Sequence, residues 1–311
     1  MVPMLSNLIT VSGQVITLFL MMIAGYCLGK TKLLPRSALP ALTNVVVYLA
    51  LPCMLIGAFE MEATSERVHG FLWVLAATVL VHGLNFAVAH FGIRDPDNGR
   101  KRVLVDCAVF SNCGFMGYPL LASLMGDIGL FYGSAYNLVF TTLLWTLGFH
   151  YMQREKEGYH LKKLILNPGI IGMLLGFSVF LLQIQLPPVL ENTVEYLGNM
   201  AVPLPMLIIG AQLAHADLAH LLRDRWSWVG AVLRLLVLPL LALFGLYALG
   251  LRGDLLMATV ICAAAPPAAI VAMLAENCGR DPVLASGVVS FHTLLSVVTM
   301  PVVVSIAQLI A

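Results

Sequence analysis

The residues best suited to chemistry lie close together. Ser111 to Pro119 reads SNCGFMGYP, within an apolar run from Val103 to Met125. Pro119 has no amide hydrogen and crowds the carbonyl of Phe115, so an unbroken helix is not expected here. In lipid, a broken backbone is accommodated only against protein or a watery cavity. The polar groups released by the break would then line a site. Asn112 can donate its side-chain amide to a carboxylate or accept from a protonated one. Gly114 and Gly117 would let a ligand approach the backbone. A second break is expected at Ala265-Pro266-Pro267-Ala268, which has no polar side chain and leaves its half of the site to backbone groups. A helix start carries about half a positive charge, and Pro119 and Pro267 suit a first turn, where the amide each lacks would be unpaired. Two such starts converging would seat a small organic anion, although crossed half-helices also bind cations through their carbonyl ends. The candidate binding set is Asn112, Cys113, Gly114, Gly117, Tyr118, Pro119, Ala265, Pro266 and Pro267. For Ser111 to Pro119 alone, the competing reading is a proline kink packed against its neighbours.

Ionisable groups inside apolar segments are expensive and are therefore candidates for function. Arg234 either attracts the anion or pairs with Asp106, and the structural pair is the favoured expectation. His82 could relay a proton or be satisfied by a neighbouring helix. These three, His82, Asp106 and Arg234, are the candidates for proton or ion coupling. The six cysteines have no CxxC or Cys/His spacing, so neither disulfides nor a metal site is expected, nor any cofactor. There is no HExxH, GxSxG or phosphate-binding loop, which argues against an enzyme or an ATP-driven pump.

The elements that must position these residues follow from composition. Hydrophobic residues make up 60% of the 311 and charged residues 11%, with a mean hydropathy of +0.92. Soluble domains carry roughly 25% charged residues. The chain reads as an all-α, polytopic membrane protein. At about 20 residues per span, ten spans are expected, near 7–29, 38–59, 71–91, 103–125, 129–150, 165–182, 194–213, 228–249, 255–275 and 283–310. The fourth and ninth are the broken ones. No basic cluster suggests nucleic acid.

Two markers recur in order. Leu51-Pro-Cys-Met-Leu-Ile-Gly-Ala58 returns as Leu204-Pro-Met-Leu-Ile-Ile-Gly-Ala211, and each is followed at similar spacing by a proline break. Residues 1–152 and 164–311 are thus read as two five-helix repeats around a cytoplasmic linker at 153–163. The loops after spans one, three, five, seven and nine hold every lysine and arginine except Arg67, Arg234 and Arg252, which places those loops in the cytoplasm and both termini on the other side. Five spans per repeat make the second repeat inverted. Inverted repeats with a broken helix in each are a plan of secondary transporters. Gly25-x-x-x-Gly29 and Gly172-x-x-x-Gly176 permit close helix approach, within a scaffold or across a dimer.

The chain resembles the auxin efflux carrier family, which includes bacterial malate and malonate permeases. The likeness rests on N-x-G-F-M-G-x-P from Asn112 to Pro119, on Tyr48-Leu-Ala-Leu-Pro52, on the Pro203 to Leu213 segment and on Asp281 to Ser286. The resemblance implies ten spans in two inverted repeats, with spans one, two, six and seven as scaffold and the others as a moving transport domain with crossing helices four and nine. It further implies carboxylate substrates such as malate, malonate or auxin-like acids, Asn112 as the carboxylate contact, alternating access, a cell-membrane location and a homodimer. The short central loop points to a bacterial type of carrier. A sensor that binds such a ligand without turnover is the alternative.

Overall fold

The structure is a computed structural model and describes residues 2–153, 168–215 and 220–311. Beyond Gln153, the expected linker at 153–163 lies outside these residues, as does the start expected for the sixth span. Among the described residues the secondary structure is helical, apart from one antiparallel bridge between Ser111 and Pro267. Seven helical stretches are long and apolar enough to cross a membrane: Gly13–Lys30, Arg36–Ala58, Ser65–Gly92, Cys113–Met152, Pro188–Ala214, Arg225–Ala248 and Pro282–Ile310. Ile170–Leu182 and Gly253–Ala264 are shorter apolar helices.

In chain order the helices are α1 (Val2–Lys30), α2 (Leu39–Val45), α3 (Leu51–Ala58), α4 (Ser65–Gly92), α5 (Asn98–Val109), α6 (Tyr118–Leu143), α7 (Phe149–Met152), α8 (Pro168–Leu182), α9 (Pro188–Gly198), α10 (Pro203–Ala214), α11 (Arg225–Val232), α12 (Leu238–Ala248), α13 (Gly253–Ala264), α14 (Ile270–Asn277) and α15 (Pro282–Ile310). Some of their starts have short polar side chains that accept from otherwise unpaired amides. Asp97 caps α5, Asp224 caps α11 and Asp281 caps α15 with Pro282 directly after it.

The 40-residue stretch Cys113–Met152 would reach about 60 Å if straight, twice the hydrocarbon thickness. It doubles back instead. Gly126 has φ 61° and ψ −145°, a conformation open to glycine and strained for other residues. As a result, the Cys113 thiol meets Asn137 Oδ1 at 3.4 Å and Ser111 Oγ lies 3.3 Å from the Tyr136 hydroxyl, pairs that a straight helix would hold more than about 30 Å apart.

Pro52, Pro119 and Pro239 are accommodated in one way. Each stands two residues beyond a π-turn, at Val46–Ala50, Cys113–Gly117 and Leu233–Val237. The carbonyl four residues before each proline falls inside the widened turn, which moves it off the ring. The break lies at Phe110–Asn112, at the start of the stretch expected, and Pro119 stands in the first turn of α6, directly after its π-turn. Pro267, by contrast, is not in the first turn that the sequence suggests; it sits in the extended segment before α14.

Small residues set the closest contacts. A Cβ added at Gly25 would overlap the backbone of Leu207 in α10, and one at Gly29 would meet Ala211 and Ala214. At Gly172 it would lie 2.8 Å from Pro52 Cα, and at Gly176 2.8 Å from the Phe59 ring. Both small-residue pairs thus pack α1 on α10 and α8 on α3 within the chain. Burying a new methyl against a fixed backbone costs on the order of 1–3 kcal/mol. Gly25→Ala should lower the melting midpoint in detergent by several degrees, whereas Gly245→Ala, where an added Cβ meets nothing within 4 Å, should not. Equal midpoints for the two variants would contradict this packing.

Candidate functional site

Two helices arrive at the centre of the molecule and two leave it. α5 stops at Val109 and α13 at Ala264, and the chain then extends through Phe110 and through Ala265. Ala265 and Pro266 each precede a proline, which disfavours helical backbone and pushes both toward extended conformations. The extended segments run antiparallel. The Asn112 amide donates to the Pro266 carbonyl at 2.7 Å, and the Ala268 amide donates to the Phe110 carbonyl at 2.9 Å. Pro266 and Pro267 have no amide to offer, so the pairing stops at one bridge.

The arriving ends share one cation. Arg234, in the π-turn between α11 and α12, is fully buried. Its guanidinium donates to Ala108 at 3.0 Å and Val109 at 3.3 Å from α5, to Ala265 at 3.1 Å, and to Ala263 in the last turn of α13. Helix ends carry carbonyls with no partner and about half a negative charge each. One guanidinium, with its planar fork of donors, satisfies two of them. This corrects the sequence expectation for Arg234: it forms no ion pair with Asp106, whose two carboxyl oxygens are buried without a hydrogen-bond partner.

The leaving helices start differently. Asn112 caps the turn into α6, its Oδ1 accepting from the Phe115 amide at 3.2 Å, and its backbone carbonyl accepts from Met116 and Gly117. Its Nδ2 donates to no atom of the described residues. Ala269 precedes α14 with no side-chain cap. An added Cβ at Gly114 would meet nothing within 4 Å, whereas at Gly117 it would touch Cys262 of α13. Gly114 thus faces open space and Gly117 serves the crossing itself. Asn112 is 8% exposed and Gly114 partly exposed, while Cys113, Gly117, Tyr118, Pro119, Ala265, Pro266 and Pro267 are buried. The predicted residues are brought together; of them Gly114 is partly exposed, with Phe115 beside it, and Asn112 is buried apart from 8% of its surface.

His82 packs among the rings of Phe110, Tyr136 and Phe140. Its Nδ1 meets the Thr78 carbonyl at 2.9 Å and its Nε2 is unpartnered. Asn85, one turn along α4, is buried with both side-chain polar atoms unpartnered. The sequence places Asn85 with His82 in the third expected span and gives it no role; its position one turn from His82 on a buried face is the signal for one.

Apolar helices long enough to span a bilayer, joined at a paired break with a capped, partly open helix start, define a polytopic membrane protein of the transporter class. The chain belongs to the auxin efflux carrier family: the family described as membrane transport protein matches residues 10–304. It is similar to an uncharacterized transporter of Methanothermobacter thermautotrophicus, 29% identical over 92% of this chain and 95% of that one. It is 24% identical to a putative malonate transporter of Rhizobium meliloti over 93% of both chains. Similarity to a probable auxin efflux carrier component of Oryza sativa is 29% and covers 43% of this chain and 38% of the relative.

Arg234→Met should destabilise the fold severely, since each orphaned carbonyl costs on the order of 1–3 kcal/mol. Arg234→Lys should recover part of the loss. The check is the yield and melting midpoint of monodisperse protein; a wild-type midpoint for Arg234→Met would refute the bridging role.

Proposed function

We propose that the protein is a secondary carrier of small organic anions, carboxylates of the malonate and malate type, which it binds at the crossing and exposes to each side of the membrane in turn. The observation that carries this reading is the pair of helix starts at one break, with Asn112 Nδ2 unengaged and Gly114 open. Two positive helix ends and an amide donor complement a carboxylate. The malonate relative supports the substrate class. Cell-membrane location, with both termini outside the cytoplasm, completes the proposal, as does a homodimer.

On this reading the chain has ten spans in two inverted five-helix repeats, residues 1–152 and 164–311. The fold-back at Gly126 divides the fourth span from the fifth, and the fourth and ninth are the broken pairs α5–α6 and α13–α14. The glycine contacts support the repeat. If span one corresponds to six and two to seven, the packing of one on seven should return as six on two, and α1 on α10 and α8 on α3 are those contacts. Spans one, two, six and seven form the scaffold against which the rest moves. Protons are the proposed coupling ion, with Asp106 and His82 as candidate carriers because both are buried with unpartnered polar atoms. Arg234 leaves that set, its donors being committed to backbone carbonyls.

The test is uptake of labelled malonate, malate and indole-3-acetate into proteoliposomes, with and without an inward proton gradient. Saturable uptake of one of them is expected. Binding without uptake would favour a sensor, and neither would overturn the substrate class. Asn112→Asp preserves an oxygen to cap the helix but removes the donor and adds a negative charge. It should raise the KM for malonate about tenfold or more, the equivalent of 1.4 kcal/mol, with little change in melting midpoint. Unchanged uptake would remove Asn112 from the site.

A further inference from the structure

A cavity of about 570 Å³ lies between α2 and the half-helix α14, within the range of small-molecule sites. Arg36, Pro40 and Thr43 line one wall, and their spacing of three to four residues places them on one helical face, with Asn44 beside Thr43. From Arg36, in the 3₁₀ turn Arg36–Ala38, to Asn44 in α2 is eight residues, about 13 Å of helix. Gln212 of α10 and Ser290 of α15 add polar groups. The inner end is Ala269, the residue after Ala268, whose amide donates to the Phe110 carbonyl. The cavity therefore runs from the α1–α2 loop to the crossing.

Its charge is one-sided. Among the described residues no aspartate or glutamate lines it, and apart from His215 the ionisable group there is Arg36. Three other arginines are engaged inside the protein: Arg100 with Asp95 and Asp224, Arg102 with the Tyr151 carbonyl, and Arg280 with the Met152 carbonyl. Arg36 makes no hydrogen bond or ion pair among the described residues. A guanidinium with all its donors available suits a carboxylate bidentately, and a cleft of one sign of charge with low-dielectric walls concentrates the opposite ion.

We propose that this cavity is an antechamber that receives small anions before they reach the crossing, with Arg36 as its fixed charge and the amides of Asn44 and Gln212 as donors, and that it favours dianions over monoanions. What passes through it rests on the carrier reading; the charge of the cavity does not.

The experiment therefore has two arms. In a Cys27→Ser, Cys53→Ser background, where the other native cysteines are buried, the Asn44→Cys thiol is labelled with thiosulfonates carrying either a sulfonate or a trimethylammonium group. At about 10 mM salt, where the screening length is about 30 Å, the anionic reagent should react at least about fivefold faster, relative to free cysteine. Arg36→Gln should bring the ratio to about one, Arg36→Lys should retain it, and salt at about 0.3 M should compress it. A ratio of one before the arginine is changed, a ratio indifferent to Arg36→Gln, or no labelling at all would overturn the antechamber. In proteoliposomes, Arg36→Gln should raise the KM for malonate about fivefold and that for monomethyl malonate less than twofold, with kcat unchanged. Equal shifts would overturn the dianion preference. If the labelling ratio holds while the wild type takes up neither compound, it is the carrier reading that fails.

Discussion

The fold depends on how two helix ends are allowed to terminate in the middle of an apolar protein. The carbonyls of the last turns of α5 and α13 have no water to turn to, and an unpaired peptide group buried in such surroundings costs several kcal/mol. The Arg234 guanidinium takes up Ala108, Val109, Ala263 and Ala265 at once. With these groups satisfied, the two extended segments can pair at Ser111 and Pro267, and the leaving helices can begin there. The break at Phe110–Asn112, the open face at Gly114 and the inner end of the cavity at Ala269 all follow from that one set of bonds.

A similar economy holds at the basic end. Arg102 donates to the carbonyls of Tyr151 and Gln153, and Arg280 to those of Met152 and Gln153, so two cations, one from α5 and one from the loop after α14, close the end of α7. Arg100 joins Asp95 of its own loop to Asp224, the cap of α11. Charges that read from sequence as markers of a cytoplasmic face are also fasteners. They tie the loops before α5, after α14 and before α11 to their neighbours, which keeps the broken helices aligned with the helices around them.

How much of this was legible in the sequence varied with the physics. The apolar class, the two breaks and their meeting were readable because proline, glycine and asparagine restrict the backbone wherever they stand. Asn112 was placed at the break, and its capping role follows from its residue type. The exact extent of the break was not readable: a π-turn absorbs Pro119 within the helix, and the interruption is confined to Phe110–Asn112, where Asn112 is a recognisable cap but Phe110 carries no such signal. The role of Arg234 was hidden for a related reason. Its partners are carbonyls of alanine and valine, which have no side-chain signature, whereas Asp106 offers an acidic side chain that the sequence makes visible. The glycine pairs declared close packing but could not name Leu207 or Pro52 as what they pack against.

Arg234 is a full positive charge balanced by dipoles and not by a counter-ion. Dipoles neutralise its local field but leave its net charge intact, so its position along the membrane normal is coupled to voltage. One elementary charge crossing the whole membrane potential is worth about 2.3 kcal/mol per 100 mV, and a partial displacement is worth the same fraction of that. On the proposed carrier reading, a movement of the crossing from one side toward the other would therefore be electrically biased even with the binding site vacant, and a bound anion moving with it would cancel part of that bias.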